Sequence, residues 1–339
     1  MNKVVNLDAV VVTSISGPNP IMKELATECS RRKIRFLVMG DTKSPADFHL
    51  DGCEFHSVER QKESGFRYAE RCPERSYTRK NIGYLIAIRE GARVLAETDD
   101  DNYPGPGFWG ERARMVRSPG VDGAGWVNVY RYFSDVNIWP RGFPLTEVQG
   151  DRAKYEQLTV READCPIQQG LADRNPDVDA VYRLLFPLPQ SFRTDRRVVL
   201  GPGAWCPFNS QNTTWWADAF PLLYLPAHCS FRMTDIWRGF VAQRIAWTNG
   251  WSILFHEPTV RQDRNEHDLM RDFKDEIPGY LMNRNISDRL DRLELAAGRN
   301  RIRDNLRRCY AALIEMGAVG AGELALLDLW LEDLGLEFG

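Results

Sequence analysis

The sequence has no excess of basic side chains, because 44 lysines and arginines face 47 aspartates and glutamates over 339 residues and leave a net charge of −3. Without that excess, nucleic acid is not expected as the main partner. The longest apolar stretches, such as residues 7–15, are far shorter than the roughly 20 residues of a membrane span. Residues 1–6 are not followed by the long apolar core of a secretory signal. We therefore expect a cytoplasmic protein with no transmembrane segment.

Several motifs of well-known chemistry are also missing. The seven cysteines include no pair at C-x2-C spacing, so reduced thiols are expected rather than a metal site. No HExxH, G-x-S-x-G or Walker loop occurs. The glycines at 105, 107 and 110 have the spacing of a dinucleotide fingerprint, but three aspartates precede them where a pyrophosphate would have to sit. These absences exclude the corresponding proteases, hydrolases and nucleotide-binding loops.

The first part of the chain alternates apolar runs typical of strands with helical patterns. Runs at residues 4–15, 34–39 and 92–96 are separated by helical spacing at 21–32 and after 78. This order predicts an α/β fold with a parallel sheet, whose ligands bind at the carboxyl ends of the strands. We divide the chain into a nucleotide-binding lobe (1–110), an acceptor-binding and catalytic lobe (111–284) and a helical C-terminal extension (285–339). Gly- and Pro-rich loops and a last strand at 252–255 mark the middle segment.

Three adjacent aspartates, Asp99, Asp100 and Asp101, follow the third apolar run. Carboxylates this close repel one another by about 1 kcal/mol or more at a partly shielded site, unless a cation shares it. Mg²⁺ and Mn²⁺ take carboxylate oxygens and keep positions open for phosphates. The alternative is an acidic loop that caps the next helix. We favour the metal site, because a cap explains one aspartate more readily than three.

The helix before this triplet begins with Arg79, Lys80 and Asn81, followed by Gly83. Basic side chains near a helix N-terminus oppose the helix dipole unless they bind an anion. The stretch is therefore suited to a nucleotide diphosphate.

Residues 78–84 and 97–102 together resemble the donor half of a GT-A glycosyltransferase with its DxD motif, and more narrowly the STELLO-like family. The stretches 128–130, 140–145, 168–172, 207–213, 234–239 and 262–265 are similar to that family as well. A more distant likeness is to reversibly glycosylated polypeptides, which act as UDP-arabinose mutases. The resemblance implies a GT-A-type, Rossmann-like lobe with a mixed sheet. The plant members of the family carry an N-terminal membrane anchor that we do not find here.

The resemblance also implies roles for single residues on the donor side. Thr13 and Asp41 would contact the base and the ribose, whereas Arg79, Asn81 and Asp100 would help to hold the donor. Asp99 would face the ribose and the metal, and Asp101 would bind Mn²⁺ or Mg²⁺. GT-A enzymes often add a late histidine as a metal ligand, for which His256 and His267 are the candidates. We prefer His267, because His256 directly follows an apolar strand.

On the acceptor side, Asp235 is the candidate general base, because an inverting transfer needs a carboxylate that removes the proton of the acceptor hydroxyl. A helix N-cap is the alternative for Asp235. Trp237 and Arg238 are the candidate acceptor-binding residues, since a flat ring could stack on a sugar.

We thus expect a metal-dependent glycosyltransferase that moves a sugar from a nucleotide diphosphate sugar to a hydroxyl, in a glycan or another acceptor, with inversion favoured. The alternatives are a sugar-nucleotide mutase, a self-glycosylating protein, or a non-catalytic relative that binds a partner. Leucines such as Leu290, Leu306 and Leu327 make the C-terminal helices too apolar to stay exposed, so they must pack on the acceptor lobe or on a second chain in a homodimer.

Overall fold

The computed structural model describes residues 4–150, 153–264 and 268–335. Its strands are β1 (Val4–Val5), β2 (Ala9–Thr13), β3 (Arg35–Met39), β4 (Glu54–His56), β5 (Val94–Thr98), β6 (Asn102–Pro104), β7 (Arg112–Ala113), β8 (Met115–Val121), β9 (Gly125–Trp126), β10 (Thr159–Asp164), β11 (Ile167–Asp173), β12 (Arg197–Leu200), β13 (Ala204–Trp205), β14 (Asn212–Trp216) and β15 (Ile253–Gln262). Its helices are α1 (Pro20–Arg32), α2 (Val58–Lys62), α3 (Arg67–Arg71), α4 (Lys80–Arg89), α5 (Tyr130–Phe133), α6 (Ala180–Leu185), α7 (Thr234–Thr248), α8 (Leu269–Asp291), α9 (Ile302–Glu315) and α10 (Glu323–Asp333).

One mixed sheet dominates the fold, in the order β10-β8-β12-β15-β11-β14-β5-β2-β3-β4, with β6 paired to β15. The strands β5, β2, β3 and β4 are parallel, as the alternation of strands and helices predicts. Along β2 the buried side chains alternate, because successive residues of a strand point to opposite faces. Val10 and Val12 join the apolar cluster that contains α1, whereas Val11 joins the cluster that contains α4. The α/β fold class is confirmed.

The other half of the sheet is mixed. The strand β14 runs antiparallel to β5, and β11 lies between β14 and β15. Strands from both sides of residue 110 therefore share one sheet, and the division into two lobes stays a prediction. The last strand, β15, is longer than the predicted 252–255, because it continues past Pro258 to pair with β6.

The start of α1 is fixed by Asn19, which sits beside the end of β5. The Asn19 Oδ1 accepts a hydrogen bond of 2.8 Å from the Met22 amide, and Pro20 supplies the preset φ of a first helical residue. The Asn19 amide also donates to the backbone carbonyl of Asp100 at 2.8 Å. A helix cap thereby holds the backbone of the acidic triplet.

The C-terminal helices begin earlier than predicted, since α8 starts at Leu269 and continues through Pro278. The predicted boundary at 285 lies inside this helix. The apolar side chains of α9 and α10 are buried within the chain: Leu306, Leu327 and Trp330 are each 1% exposed or less. The helix α10 packs on α3 and α9. A second chain is therefore not required to cover these helices, and the homodimer stays a prediction.

In the part of the chain that the structure describes, every helix is too short or too polar to cross a membrane.

Candidate functional site

A cleft with a volume of about 470 Å³ opens where β2, β3 and β5 end, which is the edge at which parallel sheets bind ligands. Among the residues that line it are six cationic and six acidic ones, namely Lys43, Arg75, Arg79, Arg141, Arg232 and Arg264 with Asp41, Asp99, Asp100, Asp101, Asp177 and Asp235. The cleft thus brings most of the predicted site residues together. The ligand it can bind depends on which of these charged side chains already form ion pairs within the protein.

Asp99, the first of the triplet, is held by Lys80, which thus pairs with a carboxylate of the protein and not with the anionic ligand expected at the start of its helix. Its Oδ1 accepts hydrogen bonds from the Tyr77 hydroxyl at 2.7 Å and from Lys80 Nζ at 3.0 Å. Lys80 is fully buried and also donates to the carbonyl oxygens of Thr98 at 2.7 Å and Ser210 at 3.2 Å. The repulsion within the triplet is therefore partly offset by the protein itself.

The other two aspartates of the triplet have neutral partners. Asp100 accepts a hydrogen bond from the Ser14 hydroxyl, and Asp101 accepts one of 2.9 Å from the Gln262 side-chain amide. Burial raises the pKa of Asp100, and Asp99 adds to the effect. Burial, Asp99 and Asp100 raise the pKa of Asp101 to about 7, because Gln262 only partly opposes them. At neutral pH, Asp101 is thus poised to exchange a proton for a cation.

Arg79 lies in the wall of the cleft and is 1% exposed. Its Nε donates to Gln61 Oε1 at 2.7 Å, and its Nη1 donates to the carbonyls of Cys72 and Pro73 at 3.4 and 3.2 Å. The Gln61 amide is fixed in turn by the Gly40 carbonyl at 2.8 Å. Within the described ranges, Nη2 is buried with no hydrogen-bond partner and no carboxylate pairs with this guanidinium. The chain therefore holds a cation whose remaining N–H groups are unmatched.

Thr13 and Asp41 lie at the ends of β2 and β3 and line the cleft, as predicted from their positions. The Asp41 carboxylate accepts hydrogen bonds from the backbone amides of Arg75 at 2.9 Å and Ser76 at 2.8 Å. Asp41 therefore shapes the loop that leads to Tyr77.

Asn81 does not line the cleft in the described structure, which corrects its predicted contact with the donor. It is fully buried, and its amide donates to the Tyr68 hydroxyl at 2.8 Å and to the Leu225 carbonyl at 3.0 Å. Successive helical residues point about 100° apart, so Lys80 reaches the triplet while Asn81 faces the core.

Asp235 lies in the cleft wall, one residue after the start of α7. Its two oxygens accept hydrogen bonds of 3.0 and 2.9 Å from the Arg141 guanidinium, which also binds both oxygens of Asp177. The N-cap of α7 is Met233, so Asp235 does not occupy the capping position. Burial acts to raise the pKa of Asp177, but Arg141 outweighs burial and lowers it to about 2. Arg141 thus orients two carboxylates at this side of the cleft.

Trp237 and Arg238 are buried away from the cleft, which corrects their predicted role in acceptor binding. The indole of Trp237 is 1% exposed and donates to Asn283 Oδ1 at 2.8 Å. The Arg238 guanidinium forms a buried ion pair of 2.9 Å with Glu97 and lies over the ring of Trp215. Because a helix turns about 100° per residue, Trp237, two positions after Asp235, points to the opposite side of α7.

The histidine candidates give no metal ligand in the described structure. His256 lies on β15 six positions before Gln262, which is about 20 Å along a strand from the residue that contacts Asp101. Burial lowers its pKa to about 4, and its Nδ1 lies 3.0 Å from the Glu257 carbonyl. His256 is therefore excluded as a ligand of the triplet. His267 lies outside the described residues.

A divalent cation fits this site if water or a bound phosphate supplies its remaining ligands. No three His, Cys, Asp or Glu side chains within the described ranges are grouped closely enough to hold a metal by themselves. Mg²⁺, however, is usually bound by one or two carboxylates together with phosphates and water. The raised pKa of Asp101 is the observation that favours a cation, because a positive charge would stabilise the anion that burial, Asp99 and Asp100 disfavour. Asp99 and Asp101 therefore fit a metal that phosphate oxygens complete.

Phe231 is a second cleft residue that sequence reasoning missed. Its ring is 60% exposed and meets the Tyr77 ring edge-on at 6.0 Å, four residues before Asp235. No sequence signal separates this phenylalanine from a buried one, since only the fold shows its exposure. An exposed aromatic ring beside carboxylates is suited to the apolar face of a sugar.

The chain is similar to known glycosyltransferases. The family model of the STELLO glycosyltransferases matches residues 232–339, a range that begins three residues before Asp235 and includes α7 to α10. The chain is 33% identical over 325 residues to probable glycosyltransferase STELLO2 of Arabidopsis thaliana, covering 88% of this chain. It is 31% identical over 278 residues to STELLO1 of the same plant, covering 76% of this chain. The chain spans 41% and 36% of the length of these two relatives. On this similarity, the chain belongs to the STELLO-like family.

Proposed function

We propose that this chain transfers a sugar from a nucleotide diphosphate sugar to a hydroxyl group of an acceptor, a glycan being the favoured one. The curated relatives are named as probable glycosyltransferases, and this chain spans about two fifths of each. The proposal therefore depends on the cleft of this chain as well as on the names of its relatives.

The observation that carries the proposal is that two side chains of opposite charge line the same cleft and that neither has an ion-pair partner among the described residues. The buried guanidinium of Arg79 has an unsatisfied Nη2, which costs free energy unless an acceptor reaches it. Asp101, in the same cleft, is disfavoured as an anion by burial and by Asp99 and Asp100. A diphosphate that brings a divalent cation supplies an anion for Arg79 and a cation for Asp101.

Asp99 and Asp101 are the residues that would hold Mn²⁺ or Mg²⁺. When bound, the metal would stabilise the charge that develops on the leaving diphosphate, as a Lewis acid does. Arg79 would add a fixed positive potential on the same group, since a preorganised cation needs no rearrangement during the reaction. Thr13 and Asp41, at the neighbouring strand ends, would face the base and the ribose.

On the acceptor side, Asp235 would take the proton of the attacking hydroxyl, which makes inversion the favoured outcome. Its oxygens already accept two hydrogen bonds from Arg141. This contact fixes the direction of the carboxylate, but the hydroxyl then has to compete with a guanidinium for the same oxygen. Phe231 would support the ring of an acceptor sugar beside it.

A thermal-shift and calorimetry panel of UDP, GDP and their sugars, with Mn²⁺ or with EDTA, tests the proposal. A nucleotide at 100 times its dissociation constant should raise stability by about 2.7 kcal/mol. Binding that needs Mn²⁺, followed by release of the diphosphate, supports a transferase. Interconversion of the sugar nucleotide without an acceptor would indicate a mutase instead. Binding without turnover would indicate a non-catalytic relative, and no binding at all would refute the proposal.

A matched pair of variants separates the cleft from general charge effects. Asp101→Asn should abolish the Mn²⁺-dependent part of nucleotide binding. Asp51→Asn removes the same charge from a side chain that is 98% exposed and lies outside the cleft lining, so it should leave binding unchanged. Equal affinity of both variants with and without EDTA would reject the metal role.

A further inference from the structure

We propose that Lys80 and Tyr77 are positioning residues that hold Asp99 by one carboxylate oxygen, so that its other oxygen is presented to the metal and the nucleotide. This inference rests on the proposed function, which it deepens by explaining how the triplet is kept in shape. It gives Lys80 a partner within the protein, in place of the anionic ligand that its position at a helix N-terminus suggests, and it gives a role to Tyr77, which precedes the predicted donor-binding stretch.

Lys80 is the centre of the arrangement. Its ammonium group has three N–H donors, and the structure gives it four acceptors, namely the Tyr77 hydroxyl (2.7 Å), the Thr98 carbonyl (2.7 Å), Asp99 Oδ1 (3.0 Å) and the Ser210 carbonyl (3.2 Å). The side chain has no exposed surface. A buried lysine is tolerated when it is paired and fully hydrogen-bonded. Its direction is therefore fixed, and so is that of the carboxylate it binds.

The two oxygens of Asp99 are used unequally. Oδ1 accepts from both Tyr77 and Lys80, whereas Oδ2 accepts no hydrogen bond within the described part of the chain. The Asp99 side chain is 28% exposed and lines the cleft. A carboxylate anchored through one oxygen cannot rotate freely, so its second oxygen keeps one direction. The geometry thus prepares a single oxygen of Asp99 for a ligand.

The Tyr77 hydroxyl links this oxygen to the acceptor side of the cleft. A phenol has one proton, which Asp99 Oδ1 receives because a carboxylate can only accept. The same hydroxyl oxygen lies 2.6 Å from Ser210 Oγ, which donates its proton to it, and the backbone amide of Ser210 donates to Asp235 Oδ2 at 3.3 Å. Asp99 and Asp235 are therefore linked through Tyr77 and Ser210.

The charge of Lys80 and its positioning of Asp99 predict opposite effects of a Lys80 substitution on Mn²⁺ affinity. An ammonium group 3.0 Å from Asp99 repels a metal cation, so a role through charge alone means that Lys80→Met tightens Mn²⁺ binding. A positioning role means that the same change weakens it, because Asp99 loses its fixed direction. Tyr77→Phe alters no charge. It removes the hydroxyl that donates to Asp99 and accepts from Lys80, and Lys80 keeps three other acceptors, so the variant tests the geometric effect.

The test is a titration of the full chain with Mn²⁺ alone, followed by the electron paramagnetic resonance signal of the free ion. We expect Tyr77→Phe to raise the Mn²⁺ dissociation constant about tenfold, as expected for one lost hydrogen bond to a charged group. The control is Tyr155→Phe, whose hydroxyl donates to the Arg197 carbonyl at 3.0 Å and which lies outside the cleft lining. It should leave the constant unchanged. Wild-type affinity in Tyr77→Phe would overturn the inference.

Lys80→Met gives the second measurement. A dissociation constant for Mn²⁺ that rises at least tenfold supports the positioning role, and one that falls overturns it. If Lys80→Met does not fold, Tyr77→Phe decides alone. If the wild type binds Mn²⁺ but no nucleoside diphosphate, the proposed function is refuted, and the comparison of Mn²⁺ affinities between wild type and variants still tests the positioning role. If the wild type binds no Mn²⁺, both proposals are refuted.

Discussion

Asp101→Asn is expected to stabilise the metal-free protein at pH 8 while it abolishes sugar transfer. The pKa of Asp101 rises from its usual 3.8 to about 7, first because of burial and then because of Asp99 and Asp100. Between these two values the folded protein holds a proton that the unfolded chain has released, so stability falls as the pH rises through this window. At 1.36 kcal/mol per pH unit, the ionised carboxylate costs the folded state up to about 4 kcal/mol above pH 7.

The asparagine keeps the shape of the side chain without this charge. Its oxygen can still accept the hydrogen bond of 2.9 Å from Gln262, but its amide can no longer accept the one of 3.0 Å from Asn102. One lost hydrogen bond costs about 1 kcal/mol. We therefore expect a gain of about 2 to 3 kcal/mol at pH 8. At pH 5 the folded carboxyl is protonated and the unfolded one is ionised, which costs the wild type only about 1.6 kcal/mol, so the two proteins should differ by less than about 1 kcal/mol.

Urea unfolding of the wild type and of Asp101→Asn at pH 5 and pH 8, both in EDTA, measures the two differences. Asp51→Asn is the control: the only charged partner of this exposed side chain among the described residues is His49, at 3.2 Å, and such a surface pair contributes less than about 1 kcal/mol, so the control should show little dependence on pH. A variant that is less stable than the wild type at pH 8 would refute the reasoning. So would the same difference in stability at both pH values, since it would mean that the carboxylate is not destabilised by its surroundings.

Three further outcomes are expected from the same geometry. Arg238→Met should lower the free energy of unfolding by about 3 to 5 kcal/mol, because Glu97 is left buried without its cation. The folded variant should keep its acceptor affinity, and a stable variant with weakened acceptor binding would restore the acceptor role of Arg238. Asp235→Asn should leave donor affinity unchanged and slow transfer by about 100-fold or more, and a change of only a few-fold would leave Asp235 as a partner of Arg141 alone. Phe231→Ala should raise the acceptor KM about fivefold with an unchanged donor KM, and Phe231→Trp should restore it; equal effects on both constants would contradict the platform.

The parts of the site that the sequence predicts are those that follow from strand order. Thr13, Asp41 and Asp99 meet in one cleft because the carboxyl ends of parallel strands lie at the same edge of the sheet. Apolar runs mark these strands clearly, since both faces of the sheet are covered and the side chains of β2 are almost all buried. The position along the chain is then enough to place the residue that follows each strand.

The parts that the sequence does not predict depend on which way a helical side chain points. Lys80 and Asn81 are neighbours, yet only Lys80 reaches the triplet, and Asp235 reaches the cleft while Trp237 does not. A helix with apolar residues on all sides, such as α7, shows no polar face that would tell these positions apart. The aromatic ring of Trp237 suggests acceptor binding. Its burial instead follows from contacts with residues of α8, which are distant in the sequence.

The number of charged side chains in the cleft also differs from the number that lack an ion-pair partner. The sequence suggests that the three carboxylates of the triplet need a cation, but Lys80 already pairs with Asp99. The charges that remain in the cleft include a carboxylate, Asp101, that burial, Asp99 and Asp100 disfavour as an anion, and a buried guanidinium, Arg79, with an unsatisfied nitrogen; neither of these two forms an ion pair among the described residues. Because these two have opposite signs, a single free ion can satisfy one of them and not the other. A metal bound to a diphosphate carries both charges, so it satisfies both residues at once.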